Sequence, residues 1–164
     1  DDVSVESIMT PRTVVTFLRE SLTVEEVCQE FRNIPFARMP IYGETIDDIV
    51  GIIRRRDILE ASNEGMGERT LQSLASDALF IPETASGLQA LQQFMKKHQQ
   101  MAVVVDEYGS TAGVISMEDI VEHLLGDEIY EESDMAVDMH ELAKKRAERL
   151  PSVTPSLTKG DFIK

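Results

Sequence analysis

Gly51-Ile52-Ile53-Arg54-Arg55-Arg56-Asp57-Ile58-Leu59 and Gly113-Val114-Ile115-Ser116-Met117-Glu118-Asp119-Ile120-Val121 are one pattern written twice: Gly, two apolar residues, three variable ones, Asp, two apolar residues. Ahead of each copy lies a second correspondence, in which Ala37-Arg38-Met39-Pro40-Ile41-Tyr42 answers Gln100-Met101-Ala102-Val103-Val104-Val105. Further upstream, Val5-Glu6-Ser7-Ile8 answers Leu71-Gln72-Ser73-Leu74. An internal period of this kind outranks any single motif. It divides the chain into a first unit over 1–66 with an N-terminal lead-in, a second over 67–129, and a remainder over 130–164. A unit of about 60 residues buries little surface alone, so the two are expected to pair face to face and share a core.

Periodicity gives each unit the order strand, helix, strand, strand, helix. Val24, Val27, Cys28 and Phe31 recur at helical spacing, with Thr23 and Glu26 placed as a capping box. The counterpart helix runs from Ser86 to Lys97. Two β-rich runs follow each helix, Arg38–Tyr42 with Ile49–Ile53 and Met101–Val105 with Gly113–Ser116. Second helices are expected over Arg55–Ala61 and Met117–Leu125, the latter closed by Gly126 at C′. Short strands at Val14–Phe17 and Leu79–Ile81 stand in front. After Gly126 an acidic stretch, Asp127 to Asp138, precedes an expected helix over Ala136–Leu150, and Pro151 and Pro155 break it.

Charge narrows the function. The 30 Asp and Glu against 16 Lys and Arg leave −14 among 164 residues, which opposes nucleic acid or an anionic membrane surface as a partner. The lone Cys28 forms no internal disulfide, and no Cys/His spacing matches a zinc site. Cys28 lies within a helical stripe, where a buried thiol is expected rather than a nucleophile. His98, His123 and His140 are scattered, so no catalytic constellation assembles and no enzyme is expected. No metal ligands are assigned, because consecutive carboxylates such as Asp106-Glu107 do not by themselves make an octahedral site. The opening Asp1-Asp2-Val3, without Met, reads as a segment excised from a longer chain.

The repeated motif has two chemical readings. A strand ending in Gly and leading through Ser into a helix with Asp on its first turn offers close approach at Gly113, a hydroxyl and free amides for phosphate, and a carboxylate for vicinal ribose hydroxyls. Equally, Ser116 is a good N-cap, with Glu118 and Asp119 as favourable first-turn acids.

The order and motifs of both units resemble a tandem pair of cystathionine-β-synthase-type (CBS) domains, the Bateman module. More specifically, Met101-Ala102-Val103-Val104-Val105-Asp106-Glu107-Tyr108-Gly109 through Gly113, then Glu118–Glu122 and Leu125–Ile129, resemble the CorC/HlyC and cyclin M family of magnesium and cobalt transport proteins. Ser7–Arg12, Phe36–Tyr42 and Gly51–Leu59 fit that family's first repeat. The resemblance implies an α/β (α+β) fold of two quasi-symmetric β-α-β-β-α CBS repeats packed as one module, with a C-terminal acidic linker and tail.

It also implies a ligand, ATP or AMP accompanied by Mg²⁺. Carried over residue by residue, Thr10 and Phe36 would flank the adenine, Arg38 would meet phosphate in the segment that includes Pro40, Ser116 would hold ribose or phosphate, and Asp119 would take the ribose hydroxyls. A second site, at Arg54 and Asp57, reads as degenerate, because Arg54 replaces the hydroxyl while Met101 and Val103 stand at the Arg38 and Pro40 positions. The implied setting is a cytoplasmic regulatory module that homodimerises and serves an N-terminal membrane domain or a separate divalent-cation transporter.

Overall fold

A computed structural model of the chain describes residues 3–131, with side-chain surroundings through residue 126. In chain order the elements are α1 (Val5–Ile8), β1 (Thr10–Pro11), β2 (Leu18–Arg19), α2 (Val24–Glu30), β3 (Arg38–Tyr42), β4 (Ile49–Arg54) and α3 (Arg55–Asn63), then α4 (Leu71–Leu74), β5 (Phe80–Pro82), α5 (Gly87–Lys97), β6 (Met101–Val105), β7 (Thr111–Ser116) and α6 (Met117–Glu131). The β-α-β-β-α order therefore appears twice.

Local chemistry starts the helices where the sequence places them. Thr23 accepts from the Glu26 N–H while the Glu26 side chain accepts from the Thr23 N–H, and Ser86 and Gln89 repeat the arrangement at α5. Each such cap contributes about 1 kcal/mol. Helix α5 ends at His98, whose φ of 54° is left-handed, a conformation in which helices commonly terminate.

The strands form two sheets, β2-β3-β4 and β1-β7-β6-β5. In each, one short strand runs parallel to the first strand of an antiparallel pair, β2 with β3 and β5 with β6. One core lies under each sheet: Val27, Ile41, Ile53 and Ile58 in the first unit, Phe94, Val104, Ile115 and Ile120 in the second. A third cluster, with Val15, Phe17, Tyr42, Ile52, Met101 and Val103, draws on both units and is the expected shared core.

The lead-ins cross over. Val5 packs in the second unit's core and Leu71 in the first unit's. Backbone bonds follow the same rule: Val5 N–H donates to the Ala85 carbonyl and Leu71 N–H to that of Leu22. Thr10 pairs with Val114, and Ser76 bridges Ile52 in the matching position. A Cβ on Gly113 would fall on the Thr10 carbonyl oxygen, and one on Gly51 would lie 2.8 Å from that of Ser76. The partner that these glycines admit is thus the other unit's lead-in. An ionic pin closes the arrangement, with Arg12 Nη1 donating to Asp47 Oδ1 and to the Thr111 carbonyl, both at 2.9 Å, and the Thr111 N–H donating to Asp47 Oδ1 at 3.0 Å.

Three expectations need correction. The strand expected at Val14–Phe17 forms instead at Leu18–Arg19; Val15 and Phe17 are buried in the shared core without joining a ladder. The pairing of β1 with β7 was absent from the expected order. Helix α6 does not stop at Gly126, which avoids positive φ and lies within a helix running to Glu131. Cys28 is half-buried at the edge of the first core. The side chains of the acidic run and the helix expected at Ala136–Leu150 lie outside the described residues.

Candidate functional site

Both copies of the repeated motif form the corner where a strand feeds a helix, but their N-caps differ. Ser116 Oγ accepts from the Asp119 N–H at 3.0 Å, and the Ser116 N–H points back to Asp119 Oδ2 at 3.4 Å. The capping reading of Ser116 is therefore realised. It leaves the hydroxyl proton available, and Asp119 Oδ1 accepts no hydrogen bond among the described residues. At the other corner Arg54 has no acceptor to offer. Its fork closes on Asp57 instead, Nε to Oδ2 at 2.8 Å and Nη2 to Oδ1 at 3.0 Å. Hydrogen bonding and charge from Asp57 push the Arg54 pKa further up, and both Asp57 oxygens are occupied.

The other sequence-derived residues divide between the corners. Thr10, opposite Val114, sits beside the strand that delivers Ser116, and Met101 lies across from Ser116. Arg38 lies across from Arg54, and Pro40 is buried opposite Ile52. Phe36 packs against the first unit's core. The structure thus brings Thr10, Ser116 and Asp119 to one corner and Arg38, Arg54 and Asp57 to the other.

A cleft of about 330 Å³ opens at the second group, within the ~300–1,000 Å³ of small-molecule sites. Arg38, Arg54 and Asp57 line one side, and Ser76, His98 and Gln100 come from the second unit. Sequence reasoning missed these last three. Ser76 was within reach, since the offset that carries Val5 onto Leu71 also carries Thr10 onto Ser76. His98 and Gln100 carry no such sign, because only the turn after α5 delivers them. The Arg54-Arg55-Arg56 run is sorted by the fold: Arg54 faces the cleft, Arg55 donates to the Ile34 carbonyl at 3.0 Å, and Arg56 is exposed.

Among the described residues no group of three His, Cys, Asp or Glu is placed to hold a metal ion, and no helix is long and apolar enough to cross a membrane. The donor set at the Ser116 corner fits a phosphorylated sugar, with one hydroxyl donor, one carboxylate acceptor and the Glu118 N–H, the Met117 N–H being given to the Gln100 carbonyl and the Asp119 N–H to Ser116 Oγ. The donor set at Arg54 fits an anion.

The CBS domain profile matches residues 5–64 and 72–126. Among curated proteins the chain is similar to the UPF0053 protein sll1254 of Synechocystis, 39% identical over 92% of this chain and 43% of that one. It is similar also to Hemolysin C of Brachyspira hyodysenteriae, 35% identical over 80% of this chain and 48% of that one. The chain therefore spans less than half the length of these two relatives. Among solved structures it resembles the CBS domain of a bacterial CNNM/CorC family Mg²⁺ transporter in complex with ATP, with a TM-score of 0.70 and 33% identity over 76% of this chain and 88% of that one. A CBS-domain pair from Klebsiella pneumoniae with bound AMP superposes with a TM-score of 0.62 at 25% identity, covering 75% and 98%. Matched profile, doubled fold and a 33% identical relative covered almost end to end agree: the chain belongs to the CBS-domain family, as a tandem pair of the kind found in CNNM/CorC family Mg²⁺ transporters.

Proposed function

We propose that this module binds an adenine nucleotide, ATP or AMP, at the Ser116 corner and regulates divalent-cation transport by a linked membrane domain or a partner transporter. The observation that carries the reading is the pairing of an uncommitted Asp119 Oδ1 with a Ser116 hydroxyl proton at the start of α6, beside the crossed-over Thr10. Asp119 would accept from ribose hydroxyls, and the Ser116 hydroxyl with the Glu118 N–H would donate to phosphate. The family pattern adds Arg38 and Phe36 from the first unit; from their places beside Arg54 and against the first core, both would have to reach across the module to complete the set. Mg²⁺ would arrive on the nucleotide's own phosphates.

Regulation would follow from linkage, since a ligand shifts an equilibrium only by its difference in affinity for the two states. A ligand touching Thr10 and Ser116 together bridges a first-unit lead-in and a second-unit corner, so its affinity depends on how the units sit. The unit boundaries at 66/67 and 129/130 and a cytoplasmic setting belong to the same proposal. Calorimetric titration with ATP and Mg²⁺ tests it: heat is expected from the native module and its loss from Ser116→Ala and Asp119→Ala. Absence of heat at millimolar nucleotide, or heat indifferent to both substitutions, refutes it.

A second reading, a dimerising scaffold without ligand, draws on Leu88 and Met95, two turns apart on α5 and 55% and 61% exposed. Homodimerisation is expected under both readings. A concentration-dependent dimer whose melting temperature ignores a nucleotide panel would favour the scaffold.

A further inference from the structure

The two corners differ in how their lead-ins are held as well as in their N-caps. Strand β1 is two residues long, and one of them, Pro11, has no N–H to give, so its own ladder holds Thr10 only loosely against β7. Its upstream end is fixed by the Val5 and Glu6 N–H groups, which donate to the Ala85 and Glu83 carbonyls. The downstream end depends on Arg12, whose N–H donates to the Ala112 carbonyl while Nη1 reaches the Thr111 carbonyl and Asp47 Oδ1. The same Asp47 oxygen accepts from the N–H of Thr111, which is 2% exposed. One carboxylate oxygen from the β3–β4 turn thus ties the end of β1 to the start of β7. The other corner has no such tie. The offset that carries Thr10 onto Ser76 carries Arg12 onto Ala78, and the offset that carries Ile49 onto Thr111 carries Asp47 onto Gly109. Neither replacement has a side chain that could donate or accept. The tie is therefore no requirement of the doubled fold; it belongs to the corner at which Ser116 and Asp119 stand.

We propose that Asp47 is a positioning residue for the nucleotide site, holding Thr10 in place relative to Ser116 and Asp119 at one remove from the ligand. The proposal rests on the reading of the Ser116 corner as that site. Thr10 lies two residues before Arg12, and β7 runs from Thr111 to Ser116 as an inner strand of its sheet, so the tie acts on both sides of the corner. Without Asp47 the buried Thr111 N–H loses its acceptor and Arg12 keeps only carbonyls, and molecules with β1 lifted from β7 gain weight. Apparent affinity then falls with the fraction in which β1 stays seated. Because Asp47 belongs to the first unit's turn, a movement of that turn reaches the nucleotide through Arg12 and Thr111.

The test titrates ATP with Mg²⁺ calorimetrically into the module and its variants, with thermal unfolding of each alongside. Asp47→Ala should weaken ATP about three- to tenfold, and Asp47→Asn, which restores an acceptor for the Thr111 N–H, should recover most of that loss. Thr23→Ala, which removes the α2 cap at a comparable cost in stability, should leave the affinity unchanged, a split that general destabilisation cannot give. In the native module, bound ATP should slow hydrogen exchange at the Thr111 N–H, since coupling is reciprocal; that reading needs no variant. ATP affinity unchanged in Asp47→Ala, an equal fall in Thr23→Ala, or Thr111 exchange indifferent to bound ATP overturns the positioning role and leaves the nucleotide site standing. Absence of heat from the native module overturns the nucleotide reading and this proposal with it.

Discussion

Replacing Gly113 by Ala tests the crossed-over architecture directly. The new Cβ would clash with the Thr10 carbonyl oxygen, a backbone atom that cannot rotate aside, and would lie 3.1 Å from the Met9 sulfur. Strand β1 must then lift off β7, breaking the pairing of Thr10 with Val114 and the bond from the Arg12 N–H to the Ala112 carbonyl. Two to three backbone hydrogen bonds at ~1 kcal/mol each set the loss near 2–3 kcal/mol, and the stiffer unfolded chain returns about 0.4–1 kcal/mol. A net cost of about 2 kcal/mol lowers the melting temperature by about 4–8 °C for a chain of this size. At Gly51 the same substitution meets the Ser76 carbonyl oxygen at 2.8 Å and Ala75 Cβ at 3.3 Å, a smaller overlap that a shift of a few tenths of an ångström in the backbone relieves, at about 1–2 kcal/mol. Thermal unfolding of both variants followed by circular dichroism reads the order. The reasoning fails if Gly113→Ala melts within a degree of the native chain, or if Gly51→Ala is the more damaging of the two.

Asp47→Ala should cost about 1–3 kcal/mol, because it strips the acceptor from the N–H of buried Thr111, whereas Arg12→Ala loses a half-exposed ion pair worth about 0–1 kcal/mol beyond its bond to the Thr111 carbonyl; urea denaturation should also show Asp47→Asn recovering most of the loss. Ser86→Ala should destabilise by about 1 kcal/mol in the same assay, since it removes one half of the α5 capping box. Glu83 has its carboxyl raised above 4.5 by desolvation and then by Glu6, Asp106 and Glu107; a group with a raised folded pKa contributes stability below its unfolded value and loses it as pH climbs through the folded one. Melting curves across that window should therefore show Glu83→Gln matching the native chain at low pH and exceeding it near neutrality, and a reversed order would contradict the assignment.

The doubled fold was legible because it rests on local signals repeated in step. Thr23 with Glu26 and Ser86 with Gln89 place two helix starts by chemistry confined to one turn, and the apolar runs of β3 and β6 lie at the positions expected of them. What stayed hidden is non-local. Thr10 and Val114 are 104 residues apart in sequence, and nothing in a two-residue strand declares its partner. Gly113 held the one clue, since Gly inside a strand marks close approach of another backbone; sequence alone could not say whose. Similarly, three consecutive arginines look alike until the fold gives Arg55 a carbonyl and Arg54 a carboxylate.

The crossing of the lead-ins has a functional corollary. Each corner is assembled from both units: Thr10 of the first unit with Ser116 and Asp119 of the second, and Ser76 of the second with Arg54 and Asp57 of the first. Any ligand spanning a corner therefore binds across the shared core, where Phe17 and Val103 are almost wholly buried, and a shift in how the units pack changes both corners at once. Coupling between two such sites is reciprocal by thermodynamic necessity. The exchange of Ser for Arg at one N-cap makes the corners chemically unequal without uncoupling them. Ligands at the two corners would then report to the same packing interface, each altering the other's affinity by the same factor.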